Sequence, residues 1–301
     1  MNKVLSAILV FITILLFGVS AKSAELRFLK EPMIYREPIA APRTSKTGFT
    51  IDTSKYLGQQ IAYMEGIIGK NVPMLTFTHG SLKLQTGLEA AAWMTLGYDD
   101  GAFPLLTQDF MFAFPVMFRY NKFSGAIKFN HISAHLGDGF NGLIEKNLSD
   151  KELAEFEQKE KVVDDYGLGL TLIEPFNYSR DFLSMHLSYE YAVEGFNVRQ
   201  YIHGGYVHKM IPDYLGRYFV GNGLEVEREY HVASPYYAQD ITLNTDVNSI
   251  DYAGQLGFTL LKNQDNLFNI RFALTGYYGS DRRGQMLGKK LHQLGAGFFI
   301  E

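Results

Sequence analysis

Hydrophobic positions fall into two regimes along this chain. Val4 to Phe17 is an unbroken apolar run apart from Ser6 and Thr13. From residue 48 onward, segments about ten residues long alternate in polarity and are separated by Gly, Asn and Asp clusters. In 81–93 the even positions Leu82, Leu84, Leu88, Ala90 and Ala92 are apolar. The odd positions Lys83, Gln85, Gly87 and Glu89 are not. A period of two puts the two sets on opposite faces of a β-strand. Segment 107–120 repeats the pattern with Phe110, Phe112, Phe114, Val116, Phe118 and Tyr120. In 181–193 the phase reverses, with Leu183, Met185, Leu187, Tyr189, Tyr191 and Val193 sharing a face. Segments 251–261, 267–278 and 291–301 follow suit.

Such strands fit a soluble sandwich or lipocalin-like barrel with the apolar face inward. They also fit a membrane barrel with that face toward lipid. The polar faces favour the second. Glu225, Glu227 and Glu229 share one face, and Arg199 and His203 share another. Strand length matches a tilted membrane crossing, and Tyr and Phe gather near segment ends as an interfacial girdle requires. The expected fold is an all-β, antiparallel, up-and-down transmembrane barrel of about twelve strands, spanning 48–301. One stretch departs from it. In the polar loop 137–165, Ser149-Asp150-Lys151-Glu152 is a capping-box signature. Leu153, Phe156 and Val162 or Val163 then follow at helical spacing, predicting one short helix inside a long loop.

The apolar run becomes an address once its flanks are considered. Lys3 precedes it, and the small residues Gly18, Ser20, Ala21, Ser23 and Ala24 follow, so residues 1–24 read as a cleaved signal peptide. Removing them takes away Lys3 and Lys22 and leaves a mature charge of −6 in place of −4. Residues 25–47, with Pro32, Pro38 and Pro42, read as a periplasmic lead-in with little regular structure. Export and barrel pattern together indicate the outer membrane.

Composition narrows the chemistry. Of 301 residues, 47% are hydrophobic and 20% charged, which argues against disorder. The absence of cysteine excludes disulfides, iron–sulfur clusters and thiolate metal sites. No basic block provides a nucleic-acid footprint. No metal or other cofactor is expected. The expected partners are outer-membrane lipids and lipopolysaccharide, with the barrel-assembly machinery during biogenesis.

The densest polar cluster is Asn130-His131-Ile132-Ser133-Ala134-His135-Leu136-Gly137-Asp138. On a strand, His131, Ser133 and His135 share a face, with neighbours about 7 Å apart and the two histidines about 13 Å apart. The histidines alone therefore cannot chelate one ion. His131 and Ser133 suit a base and a nucleophile, and such a base needs an orienting carboxylate, for which Asp138 and Glu145 are candidates. The apolar phase flips near Asn130. Without a bulge, His131 shares the lipid side with Phe129; with one, the trio points into the lumen. Elsewhere, Trp93 reads as an interface anchor, Arg282 and Arg283 as solvated loop charges, and His203 and His208 as lumenal or interfacial.

The run His131-Ile-Ser-Ala-His-Leu-Gly-Asp138 resembles the signature of an uncharacterised bacterial family, a domain of unknown function. That family carries His-x-Ser-Ser-His-Leu-Gly-Asp-Glu. Arg119-Tyr-Asn-Lys-Phe-Ser124, Ala41-Pro42-Arg43 and Tyr277-Tyr-Gly-Ser-Asp-Arg-Arg-Gly-Gln285 resemble further parts of its pattern. Departures are Ala134 for the second Ser and Gly139 for the Glu. The resemblance implies an exported barrel and no particular activity. A second resemblance is to outer-membrane lipid A deacylases, in which a strand His-x-Ser with a later Glu acts from the lipid-facing wall. It lays His131, Ser133 and Glu145 on that pattern. Three roles follow: a non-enzymatic barrel serving as solute channel or envelope component, a lipid-ester hydrolase using His131 and Ser133, or a soluble periplasmic β protein.

Overall fold

Alternation makes the strands, and two-residue turns set their register. The computed structural model describes residues 24–56, 59–98, 101–139, 178–211, 213, 215–245, 247–260, 269–286 and 290–300. The strands are β1 (Ala24–Phe28), β2 (Thr47–Tyr56), β3 (Gln59–His79), β4 (Leu82–Gly97), β5 (Leu105–Tyr120) and β6 (Phe123–Leu136). They continue with β7 (Tyr178–Val193), β8 (Phe196–Ile211), β9 (Tyr218–Arg228), β10 (Ala233–Asn244), β11 (Ser249–Leu260), β12 (Ile270–Ser280) and β13 (Lys290–Ile300). Each from β2 to β12 pairs antiparallel with its successor, and β13 returns to β2, so β2 to β13 close a twelve-stranded barrel. At one end, residues 80–81, 121–122 and 194–195 turn the chain, with positive φ at Gly80, Asn121, Glu194 and Gly195. Such turns match the twist of the flanking strands. The longer connections all lie at the other end except those after β9 and β11. Short turns mark the periplasmic end of such barrels.

The apolar faces point outward. Phe110, Phe112, Phe114, Ile127, Phe129, Leu183, Met185, Leu256, Phe258, Phe272, Leu274 and Leu294 are all exposed. A water-soluble protein does not leave a belt of large apolar side chains around its outside; hydrocarbon is the solvent that accepts it. Exposed Tyr120, Phe123 and Tyr189 edge the belt near the short turns, and Tyr98, Phe103, Tyr206 and Tyr218 edge it near the long loops. The soluble alternative, which needed those side chains packed inside, is therefore wrong.

The lead-in turns out to fill the barrel. β1 and β2 lie along the same edge of β3, at its lower and upper parts (Phe28 opposite Leu75, Gly48 opposite Ile67). Between them, residues 29–46 leave the wall, pass through the lumen and come back. Ile34, Tyr35, Ile39 and Ala40 are buried there. Wall side chains read the segment's backbone: Gln85 accepts from Ile34 N and donates to Pro32 O, Arg119 donates to Ile34 O, Glu225 accepts from Ile39 N, and Gln255 donates to Ile39 O. Arg36 pairs with Glu225, Arg43 with Asp109, and Lys128 bridges Glu37 and Glu89. Prolines suit this path because they hold an extended backbone and bring no N–H to satisfy.

Two sequence expectations are corrected here. Trp93 is not an interface anchor: it occupies an odd, inward position of β4, is 2% exposed, and lies beneath the Arg43 guanidinium. Arg282 and Arg283 are not solvated, because the β12–β13 connection folds back over the lumen. There Arg282 meets both Glu65 oxygens and Gln293, and Arg283 forks onto Asp281. Of the expected signal peptide only Ala24 is described, and of the loop 137–165 only residues 137–139, so the loop helix lies outside the described residues.

Candidate functional site

β6 runs without a break in register against both β5 and β7. No bulge occurs at Asn130, so the odd-numbered residues face out along the whole strand. Phe123, Ile127 and Phe129 lie toward lipid, and His131, Ser133 and His135 continue the same line toward the long-loop end. The even residues Lys128, Asn130, Ile132 and Ala134 are buried on the lumenal side. Of the two arrangements open from sequence, the first is realised: the polar trio is on the outer wall, at the upper margin of the apolar belt.

The carboxylate beside His131 comes from the next strand. Asp181 is the cross-strand partner of His131 in β7, and its Oδ1 lies 2.6 Å from His131 Nδ1. The His131 side chain is 48% exposed and that of Asp181 24%, so the pair is open to an approaching molecule. Nδ1 being engaged, Nε2 is the ring nitrogen left to face a reacting group. Ser133, two residues on and partly exposed, shares this face; its own cross-strand partner is Ser179. His135 packs its ring edge-on against Phe110 at 5.9 Å. Asp138, one of the two sequence candidates for the orienting acid, is exposed beyond the end of β6, and Glu145 lies outside the described residues. Asp181 was missed, although it has the same odd phase as Leu183 and Met185 and so had to face outward with them. What sequence alone could not supply was its register against His131 across the intervening loop.

The remaining motif residues support this strand from behind. Gly137 donates to Leu106 O at 2.7 Å, and a Cβ there would lie 2.2 Å from Leu105 O, so only glycine allows the crossing to β5. Ala134 faces inward against the 3-10 turn Gly284–Met286, where Gln285 donates to Ala134 O at 2.9 Å. Asp109 receives Arg43 at 2.7 Å and the Gly284 amide at 3.2 Å. Ala41-Pro42-Arg43 and the run ending in Gln285, far apart in sequence, thus meet on the lumenal side of β5 and β6. Lumenal His203 lies 3.1 Å from Asp240, and His208 is on the outer wall. Among the described residues, no three His, Asp or Glu side chains are grouped to hold a metal ion.

A family model described as protein of unknown function (DUF1207) matches residues 26–164. The match takes in the lead-in and β2 to β6, and ends before Asp181. No curated protein matches the chain. Several solved barrels are similar in shape. Outer membrane phospholipase A from Escherichia coli is 10% identical, with 91% of this chain and 95% of that one covered and a TM-score of 0.47. The transport unit of the autotransporter AIDA-I from Escherichia coli is 12% identical, covering 89% and 93%, TM-score 0.44. LpxR from Salmonella typhimurium is 9% identical, covering 84% and 100%, TM-score 0.33. At such values no chemistry carries over from them.

Proposed function

We propose that this outer-membrane barrel hydrolyses an acyl ester of a membrane lipid on its outer wall, with Ser133 as nucleophile, His131 as base and Asp181 as the residue that orients His131. The observation that carries this reading is the outward His131–Asp181 pair beside Ser133, at the margin of a lipid-facing belt. On a lipid-facing wall the cost of a charge falls from the midplane to the margin, so the margin is where a polar site can sit beside lipid. An orienting carboxylate on Nδ1 is what turns a histidine into a directed base.

The chemistry balances without a cofactor. Ser133 Oγ attacks the acyl carbonyl carbon while His131 Nε2 takes the hydroxyl proton. The imidazolium is stabilised by Asp181 through Nδ1–H. The tetrahedral intermediate collapses, the ester C–O bond breaks, and the departing alcohol oxygen takes the proton from Nε2. Water, deprotonated by the same nitrogen, then releases the fatty acid from Ser133. Carbonyl carbon and wall meet without the lipid leaving the bilayer, because the polar trio adjoins Phe110, Phe112 and Phe129.

The test is lipid mass spectrometry on membranes containing wild type or Ser133→Ala. Free fatty acid and deacylated lipid with the wild type only is the expected result; identical lipids in both would end the hydrolase reading. The channel reading has less support, since residues 29–46 occupy the lumen. In planar bilayers the intact chain should give no discrete conductance steps, and regular steps would restore it. A purely structural barrel is the reading left if neither hydrolysis nor conductance is seen.

A further inference from the structure

The wall next to Asp181 carries a second irregular feature. Along the β7–β8 ladder, Asp181 pairs with Lys209 and Phe182 with Val207, so His208 is an extra residue. Val207 and Met210 both point inward and are buried, which leaves His208 and Lys209 consecutive and both exposed. A bulge of this kind re-aims side chains and leaves part of the ladder unpaired. Arg217 secures it: its NH1 donates to Val207 O at 3.2 Å and to His208 O at 3.1 Å, while Val207 N donates to Arg217 O at 2.8 Å. His208 lies against the Phe129 ring at 5.7 Å. The outer row across three strands is therefore His131, Asp181, Lys209, with Arg217 behind the bulge. Lys209 thus stands opposite a carboxylate that already holds His131.

We infer that the His208–Lys209 bulge is the seat for the phosphate of the lipid substrate. The choice of ester rests on the hydrolase reading above; the phosphate seat rests on the bulge. β6 and β8 are two strand spacings apart, roughly 10 Å, and a lysine stem closes much of that distance. A phosphate needs to lie only a few bonds from the acyl ester, as it does in a glycerophospholipid and in lipid A. Lys209 supplies a flexible cation and His208 a donor, and the pinned bulge keeps both on the lipid side. A neutral glyceride would gain nothing from this seat.

The experiment uses Ser133→Ala protein, with and without Lys209→Met or Lys209→Arg, in detergent micelles. Folded barrel is selected by its heat-modifiable gel mobility. Occupancy by three non-cleaved probes is read by native mass spectrometry: a diether glycerophospholipid, lipid A and a neutral diether glycerol. Lys209→Met is expected to lower occupancy by one or both phosphate-bearing probes about tenfold, the effect of one charge-assisted contact. Lys209→Arg should retain it, and the neutral probe should be unaffected. Whichever phosphate probe depends on Lys209 names the source. Equal occupancy of every probe with and without the Lys209 charge overturns the seat. Lys209-dependent binding in a barrel whose wild type cleaves no ester would keep the seat and remove the hydrolase.

Discussion

β6 shows two kinds of polar residue on one strand. On the lumenal face, Lys128 joins Glu37 and Glu89, and Asn130 donates to Ser184 Oγ at 3.0 Å and to Lys128 O at 3.0 Å. Every such group has a partner that would be left buried and unpaired if it changed. On the outer face, His131 and Ser133 lie between Phe112 and Phe110 of β5 and Asp181 and Ser179 of β7, and His135 lies beside Gln108. Polarity inside the barrel is held by the packed lumen; polarity outside is held by the single His131–Asp181 contact between β6 and β7. On the hydrolase proposal, the same residue types serve structure on one side of a single strand and chemistry on the other.

The sharpest way to break this contrast is at Ser133. Ser133→Ala should lower hydrolysis by about 10³-fold or more while leaving unfolding in urea within about 0.5 kcal/mol of wild type. Ser179→Ala, on the same face one strand over, should leave hydrolysis intact, and loss there would move the nucleophile to β7. Asp181→Asn should cost about 10²-fold and change the pH–rate profile, because the charge that stabilises the imidazolium is gone and the amide NH2 can donate to Nδ1, which favours the wrong tautomer. Asp181→Glu should recover part of it, which a merely structural role would not predict. Lys128→Met tests the other face. Stranding Glu37 and Glu89 should destabilise the barrel by about 3–5 kcal/mol, with hydrolysis per folded molecule unchanged. Ala134→Ser places the family-like residue on the inner face and should alter neither rate nor binding.

The smallest effect concerns the mouth of the lumenal segment. The hydrogen bond from Lys83 holds the Glu31 carboxyl below its ordinary value of 4.5, with Arg27 adding to it. A carboxylate with a lowered folded value stabilises the native state above its unfolded value, and that contribution disappears as pH falls through the folded one. Glu31→Gln should therefore lower the melting temperature slightly at pH 7 and leave it unchanged in strong acid, where the wild type has lost the same interaction.

Much of the fold could be read in the sequence because lipid enforces it. The phases of 81–93, 107–120 and 181–193 name the outward faces directly, and they extend to His131 once β6 is known to run straight. The lumenal course of residues 29–46 could not be read. Pro32, Pro38 and Pro42 report an extended, donor-poor backbone, but not that Gln85, Arg119 and Glu225 wait for it across more than 50 to 180 residues of chain. The site was half legible for a similar reason. His131 and Ser133 are neighbours on one strand, whereas Asp181 depends on how β6 and β7 slide past each other. Trp93 and Arg282 were misread because single-residue habits, aromatic at an interface and arginine in a turn, gave way to the needs of a filled lumen.

The division of one strand position between β1 and β2 bears on biogenesis. Both ends of the enclosed stretch are stitched to the same neighbour, β3, so it is a loop tethered twice and not a loose tail. It cannot be withdrawn by pulling on the N-terminus unless the five β1–β3 pairs first unzip. The segment that immediately follows it, β2, forms the seam with β13, so the filling of the lumen and the closing of the wall are adjacent in the chain. Once in place, the cork and the wall share one continuous stretch of chain, so neither can be lost without opening the pairs of β3.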